Sequence, residues 1–282
     1  MSRNIIAMGE RFLQGDYGTV RAAGELKVQE STIRRLTVAG EARITKSSVR
    51  RIKLAGELVA DTLEFLILGA AGSVKLQGIC KGGVCTVTGS LAAEFLDCKV
   101  LCNGGGSKKA KSYGNDGWSG VFHAVTFENE RGLTLDFEYR FQNMISTESL
   151  NSNHEIECEN FYSLADLTAE TINADRIFLL NTGDVRVGQL TGTSVKIQDS
   201  FTPDKQFRQL PKSLLYKRRK AEHNMAIVPV IEADDIDIKG TKAKLVSGQR
   251  VTIGDLCIIE RAEYRESIKI SEKAVVNEVI KI

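Results

Sequence analysis

Leu36-Thr37-Val38-Ala39-Gly40-Glu41-Ala42-Arg43-Ile44 and Ile52-Lys53-Leu54-Ala55-Gly56-Glu57-Leu58-Val59-Ala60 are one pattern repeated 16 residues apart. The same pattern is centred on Gly24 before them and on Gly72 after them, and steps of 17 residues lead on to Gly89 and Gly106. Four residues before each glycine stand Val20, Leu36, Ile52, Leu68, Cys85 and Cys102. Two residues before stand Ala22, Val38, Leu54, Ala70, Val87 and Gly104. Two and four residues after come Leu26/Val28, Ala42/Ile44, Leu58/Ala60, Val74/Leu76 and Leu91/Ala93.

Within each unit apolar and polar residues alternate, which is the period of a strand and not of a helix. A 16-residue unit cannot bury its apolar side alone. Stacking the units in register makes one continuous interior, so the expected fold is all-β, a parallel β-helix or solenoid of short 16–17 residue rungs. The recurring glycine marks a corner that needs positive φ or close backbone approach. On the outside, Glu25, Glu41 and Glu57 form an acidic column beside basic residues such as Lys27 and Arg43. Arg34-Arg35 and Arg50-Arg51 form a second basic column. At the next rung this arginine pair becomes Leu66-Ile67, expected to point outward as a small apolar contact patch.

The rest of the chain is more varied. Gly104 to Gly120 reads as an excursion, and Thr126 to Phe141 as a β-hairpin turning at Glu128–Gly132. Short strands resume from Ile156 to Ile197. Residues 200–228 hold two of the three prolines and the basic run Lys217-Arg218-Arg219-Lys220, and read as a loop with a short helix over Leu214–Met225. Strands return from Val228 to Ile282. The expected divisions are 1–106 (N-terminal rungs), 107–154 (insert with hairpin), 155–200 (rungs), 201–228 (basic loop) and 229–282 (C-terminal rungs).

Composition narrows the functional classes. The 282 residues carry a formal net charge of +2, so no general attraction to nucleic acid is expected, and Tyr216 alone accompanies the basic run. No apolar run approaches the roughly 18–20 residues of a membrane span. The first ten residues lack the apolar stretch of a secretory signal, which suggests a cytoplasmic protein with free thiols. Cys80, Cys85, Cys98 and Cys102 invite a zinc reading, but their spacing is unlike paired zinc ligands, and Cys85 and Cys102 fall in the inward column. Core packing is expected of them, with no metal, no cofactor and no catalytic residue. There is no phosphate-binding loop of Walker spacing, dinucleotide fingerprint or nucleophile elbow.

Rungs such as Val38-Ala39-Gly40-Glu41-Ala42-Arg43-Ile44 resemble those of bactofilins, the polymer-forming cytoskeletal proteins of bacteria. Further along, Ile231-Glu232-Ala233-Asp234-Asp235-Ile236, Gly240-Thr241-Lys242-Ala243-Lys244, Val251–Glu260, Glu263-Tyr264-Arg265 and Asn277–Ile282 resemble the end of the long bactofilin-like proteins of Gram-positive spore formers. The resemblance covers most of 5–102 and 155–282. It implies a right-handed β-helix that polymerises end to end without nucleotide.

A stack of rungs with open ends itself invites another copy to continue it. The candidate self-assembly residues are Ile5, Ile6 and Met8 at one end and Val275, Val276, Val279, Ile280 and Ile282 at the other. Leu66 and Ile67 are candidate lateral contacts. Lys217, Arg218, Arg219 and Lys220 are candidate contacts to an anionic membrane surface, or else a solvated loop. The expected partner is the protein itself, with an anionic membrane or other scaffold and cell-envelope proteins as further candidates. The alternative is a β-helix enzyme or carbohydrate-binding module whose 107–154 insert would supply Tyr113, Trp118 and His123 for stacking and acid–base work.

Overall fold

The computed structural model describes residues 3–104, 117–199 and 224–282. Among these the chain is all-β, with no helix, and parallel strands wind into about 14 turns of a β-solenoid. Two compact units are present: Met1–Gly132 with Asp136–Gln142, and Leu133–Leu135 with Asn143–Ile282.

The first unit holds β1 (Arg3–Met8), β2 (Arg11–Thr88), β3 (Leu91–Asn103) and β4 (Trp118–Asn129). β2 is 78 residues of extended backbone bent at corners, so that it stacks on itself rung by rung. The stacking is visible in Ser31 and Ser47. The Gly15 N–H donates to Ser31 Oγ (3.2 Å) and the Ser31 N–H donates to Ser47 Oγ (3.1 Å), each one rung along.

Three kinds of corner turn each rung. The glycine corner has φ between +113° and +133° at Gly24, Gly40, Gly56, Gly72 and Gly89. A second corner, which the sequence does not announce, places Glu30, Lys46, Thr62 and Gly78 at φ +47°, +47°, +56° and +63°. The third is the Arg34-Arg35, Arg50-Arg51, Leu66-Ile67 corner, whose side chains are exposed or half-buried.

The interior follows the expected columns. Val20, Leu36, Ile52, Leu68 and Cys85 are 1% exposed or less, and Leu26, Ala42, Leu58, Val74 and Leu91 are likewise buried. Fully burying one Leu or Ile side chain contributes about 1.5–3 kcal/mol, so the repeated columns are the main source of stability.

Beyond Cys85 the expected register slips. Cys85 pairs with Leu101 and Leu101 with Phe127, while Cys102 pairs with Thr86 and Glu128. The rung from Cys85 is therefore one residue shorter than the glycine count suggested. A one-residue shift moves a side chain to the opposite face of a strand. Leu101, not Cys102, continues the inward column, and Asn103, not Gly104, stands opposite Val87. Asn103 and Asn129 are buried there, with Asn103 Nδ2 donating to Asn129 Oδ1 (3.1 Å) and to the Gly132 carbonyl (3.2 Å). Gly106 lies outside the described residues.

The expected hairpin is absent. β4 runs parallel to β3, with Leu91 opposite Trp118. The segments after the turn are also parallel rung pieces. β5 (Leu133–Leu135) and β6 (Glu138–Ser146) pair in parallel with β7 (Leu150–Ser152) and β8 (Ile156–Ser163), respectively. The alternation read as a hairpin is the same in two successive sides of a rung, because period two does not report strand direction. The 107–154 segment thus contains solenoid rungs from Trp118 onward.

In the second unit β9 (Leu167–Leu180) and β10 (Val185–Gln198) continue the stack, followed by β11 (Ala226–Ile227), β12 (Val230–Ile238), β13 (Thr241–Ile253), β14 (Ile258–Ile270) and β15 (Val275–Lys281). β10 pairs in parallel with β12, and β12, β13, β14 and β15 stack successively. Arg250 ties three rungs together: its guanidinium holds both Asp235 oxygens (2.6 and 2.7 Å) and Glu266 Oε2 (3.0 Å). The helix expected over Leu214–Met225 lies outside the described residues except Asn224 and Met225, which are not helical. Pro203 and Pro211 also lie outside them. Pro229 sits at the entry to β12, where its carbonyl accepts the Lys244 and Leu245 N–H groups.

Candidate functional site

The last rungs of the second unit expose residues that belong to the core. Val251 and Ile253 are each 1% exposed, and the residues stacked on them are Ile268 and Ile270. Ile270 is 41% exposed, although it occupies the inward column of Ile253. Val279 stacks on the fully buried Ala262 and is 45% exposed. β15 pairs with β14 and with no other strand among the described residues, so one edge of its backbone is open. An apolar cross-section with an open parallel edge is therefore present at this end. Of the expected residues, Val276 and Ile280 are half-buried, and Val275 and Ile282 are exposed. Ile268 and Ile270 were not singled out from the sequence. Their column is legible only once the pairing of β13 with β14 is known.

The first rung of the first unit is different. Ile5 and Ala7 lie opposite the inward Val20 and Ala22, while Ile6 and Met8 lie opposite Arg21 and Ala23 on the outer side. Ile6 and Met8 are 78% and 82% exposed. They are thus lateral residues beside an open strand edge, not part of a cross-section, and β1 pairs with β2 alone among the described residues. Phe12, also exposed, adds a third apolar group to this rung.

Leu66 and Ile67 do point outward, with Leu66 51% exposed and Ile67 half-buried. Lys217, Arg218, Arg219 and Lys220 lie outside the described residues, as do Tyr113 and His223.

The groups that would serve an enzyme are engaged in structure. Trp118 is buried, and its Nε1–H donates to the Gly89 carbonyl at 3.0 Å. It packs with Phe122, Phe127 and Phe137, and Phe127 stacks on Phe141 (4.8 Å, 9°). His123 meets the Phe95 ring edge-on at 4.9 Å. Trp118 and His123 both lie on β4. Two of the three acidic-column residues are paired: Lys27 Nζ reaches Glu25 (3.1 Å) and also Glu10 (2.8 Å), and Arg43 Nε reaches Glu41 (2.6 Å).

The four clustered cysteines do not converge as a tetrad. All four are buried, and burial pushes the Cys85 thiol well up and the Cys98 thiol up to about 12. Cys102 instead lies with Glu128 and Glu130, the Sγ and carboxylate oxygens all within 4.8 Å of one another. Cys102 is buried as expected, but opposite Thr86 and not in the Cys85 column, which is why its neighbours Glu128 and Glu130 could not be read from the repeat. Burial, and then the Glu130 charge, raise the Glu128 carboxyl above its ordinary value. Burial and the two carboxylates raise the Cys102 thiol.

No protein family, curated protein or solved structure matches the chain.

Proposed function

We propose that this chain is a bactofilin-like, non-enzymatic structural protein that self-assembles end to end, without nucleotide, into cytoplasmic filaments or scaffolds. The observation that carries the reading is the exposure of Ile270 and Val279 on inward columns whose next members, Ile253 and Ala262, are buried. A further parallel rung laid on β15 would bury Val279 and satisfy its open edge, and one laid on the uncovered last part of β14 would bury Ile270; another copy of the same coil is a source of both. The exposed edge of β1 is the complementary surface in a head-to-tail stack. An anionic membrane surface met by Lys217, Arg218, Arg219 and Lys220, and other scaffold or cell-envelope proteins, belong to the same proposal as partners.

The test is negative-stain electron microscopy of the purified protein at micromolar concentration, beside the Ile270→Lys and Val279→Lys variants. Filaments or large oligomers are expected for the parent chain. Discrete particles with unchanged circular dichroism are expected for the variants, since both positions are already exposed. A monomer at every salt concentration, or filaments unaffected by both lysines, overturns the end-to-end reading.

A further inference from the structure

The third corner of the first unit carries four arginines on two successive rungs, Arg34-Arg35 and Arg50-Arg51, 16 residues apart. Neighbouring strands lie about 4.8 Å apart, which brings the guanidinium groups of the two rungs within reach of one small anion. All four side chains are exposed. Two cations of this unit meet carboxylates, Lys27 at Glu10 on the neighbouring rung and at Glu25, and Arg43 at Glu41. Among the described residues none of the four corner arginines has an ion-pair or hydrogen-bond partner.

Like charges placed directly across neighbouring strands repel, so this corner carries an uncompensated electrostatic cost in the free chain. The cost has a geometry. The four arginines line one recess of about 130 Å³ together with Leu66 and Ile67 of the next rung. Arg34 and Arg35 also line an adjoining recess of about 240 Å³ with the neutral Asn4, Gly18 and Thr19. Arginine is the side chain whose planar fork of donors matches the oxygens of a phosphoryl group. A single carboxylate is satisfied by one such fork. Four forks around one recess suit a group with more charge and more oxygens.

We propose that Arg34, Arg35, Arg50 and Arg51 form a binding site for a phosphoryl- or diphosphoryl-bearing ligand, with Leu66 and Ile67 as an apolar shelf for the group that carries it. The site lies on the lateral corner of the first unit and does not depend on end-to-end assembly.

Isothermal titration with inorganic pyrophosphate at constant ionic strength tests the site on the full chain. The comparison is with the Arg34→Gln/Arg50→Gln double variant and with Arg43→Gln, a control on another side of the rung. Saturable binding is expected, at least tenfold weaker in the double variant and unchanged in Arg43→Gln. A parallel arm measures co-sedimentation with phosphatidylglycerol vesicles and phosphatidylcholine vesicles. Binding to phosphatidylglycerol alone, lost in the double variant, supports the site and assigns the phosphoryl group to a lipid headgroup. Pyrophosphate binding without vesicle binding supports it and assigns a free ligand. No saturable binding in either arm, or binding that the double variant keeps, overturns the proposal.

Discussion

The α carbon of Gly56 faces the backbone carbonyl of Gly40 so closely that a Cβ on Gly56 would lie 2.1 Å from the Gly40 oxygen. The obstacle is backbone, one rung away, and the φ of +133° is itself unfavourable for an L side chain. Gly56→Ala is therefore expected to destabilise the first unit by about 4 kcal/mol or more, at the severe end for a point mutation. Gly69→Ala is the matched control, since its nearest contact would be the Ile52 oxygen at an ordinary 3.9 Å. It should shift stability by no more than about 0.5–1 kcal/mol. Urea denaturation of both variants measures the contrast.

Thr62 sits at φ +56° on the second corner, where the next rung has Gly78. A β-branched residue is poorly suited to this region. Thr62→Gly should raise stability by about 0.5–1 kcal/mol, the relief of strain being partly offset by the greater freedom of glycine in the unfolded chain. A rise in the thermal midpoint is the expected readout, and a fall would mean that the Thr62 Oγ1 bond to Asp61 (3.0 Å) outweighs the strain.

Glu128 is held above the ordinary carboxylate range by burial and then by Glu130. A group whose folded value is raised contributes its stability in full below the unfolded value of about 4.3 and loses it as pH rises through the folded value. Above that window the raised value counts against folding. Glu128→Gln should stabilise the protein at pH 7, with the difference shrinking towards zero below about pH 4. Unfolding midpoints across that range check the sign.

All six cysteines are free, and five are buried. Burial raises the Cys98 and Cys158 thiols to about 12, so little thiolate exists at pH 8. A thiol reagent should label the native protein slowly, beginning with the partly exposed Cys158, and label all six on denaturation. Rapid native labelling of Cys85 would show that the stack opens locally.

How much of this was legible depended on whether a position repeats a residue type. The column of Val20, Leu36, Ile52, Leu68 and Cys85 could be read because size, polarity and a constant step agree. The corner at Glu30, Lys46, Thr62 and Gly78 could not, because four unrelated residues adopt one backbone conformation. Cys102 was placed inward by counting from the glycines, whereas a rung one residue shorter puts Leu101 there and aims Cys102 at Glu128. Asn103 and Asn129 are polar residues that satisfy one another inside, which no repeated column signals. At the candidate assembly end the apolar character of residues 275–282 was evident. That Ile270 continues a core column into the open was not, since alternation reports a face but not what lies above it.

Trp118 is the single tryptophan of the chain, and it lies in the first unit with its indole N–H fixed to the Gly89 carbonyl. The protein therefore carries a built-in optical reporter for one half of its fold. Indole fluorescence follows the melting of the unit that holds the arginine corner, while far-ultraviolet circular dichroism follows strands in both. In a fold held together mainly by neighbour-to-neighbour contacts, the two signals need not coincide. Any gap between them measures how far the loss of one rung is felt along the coil.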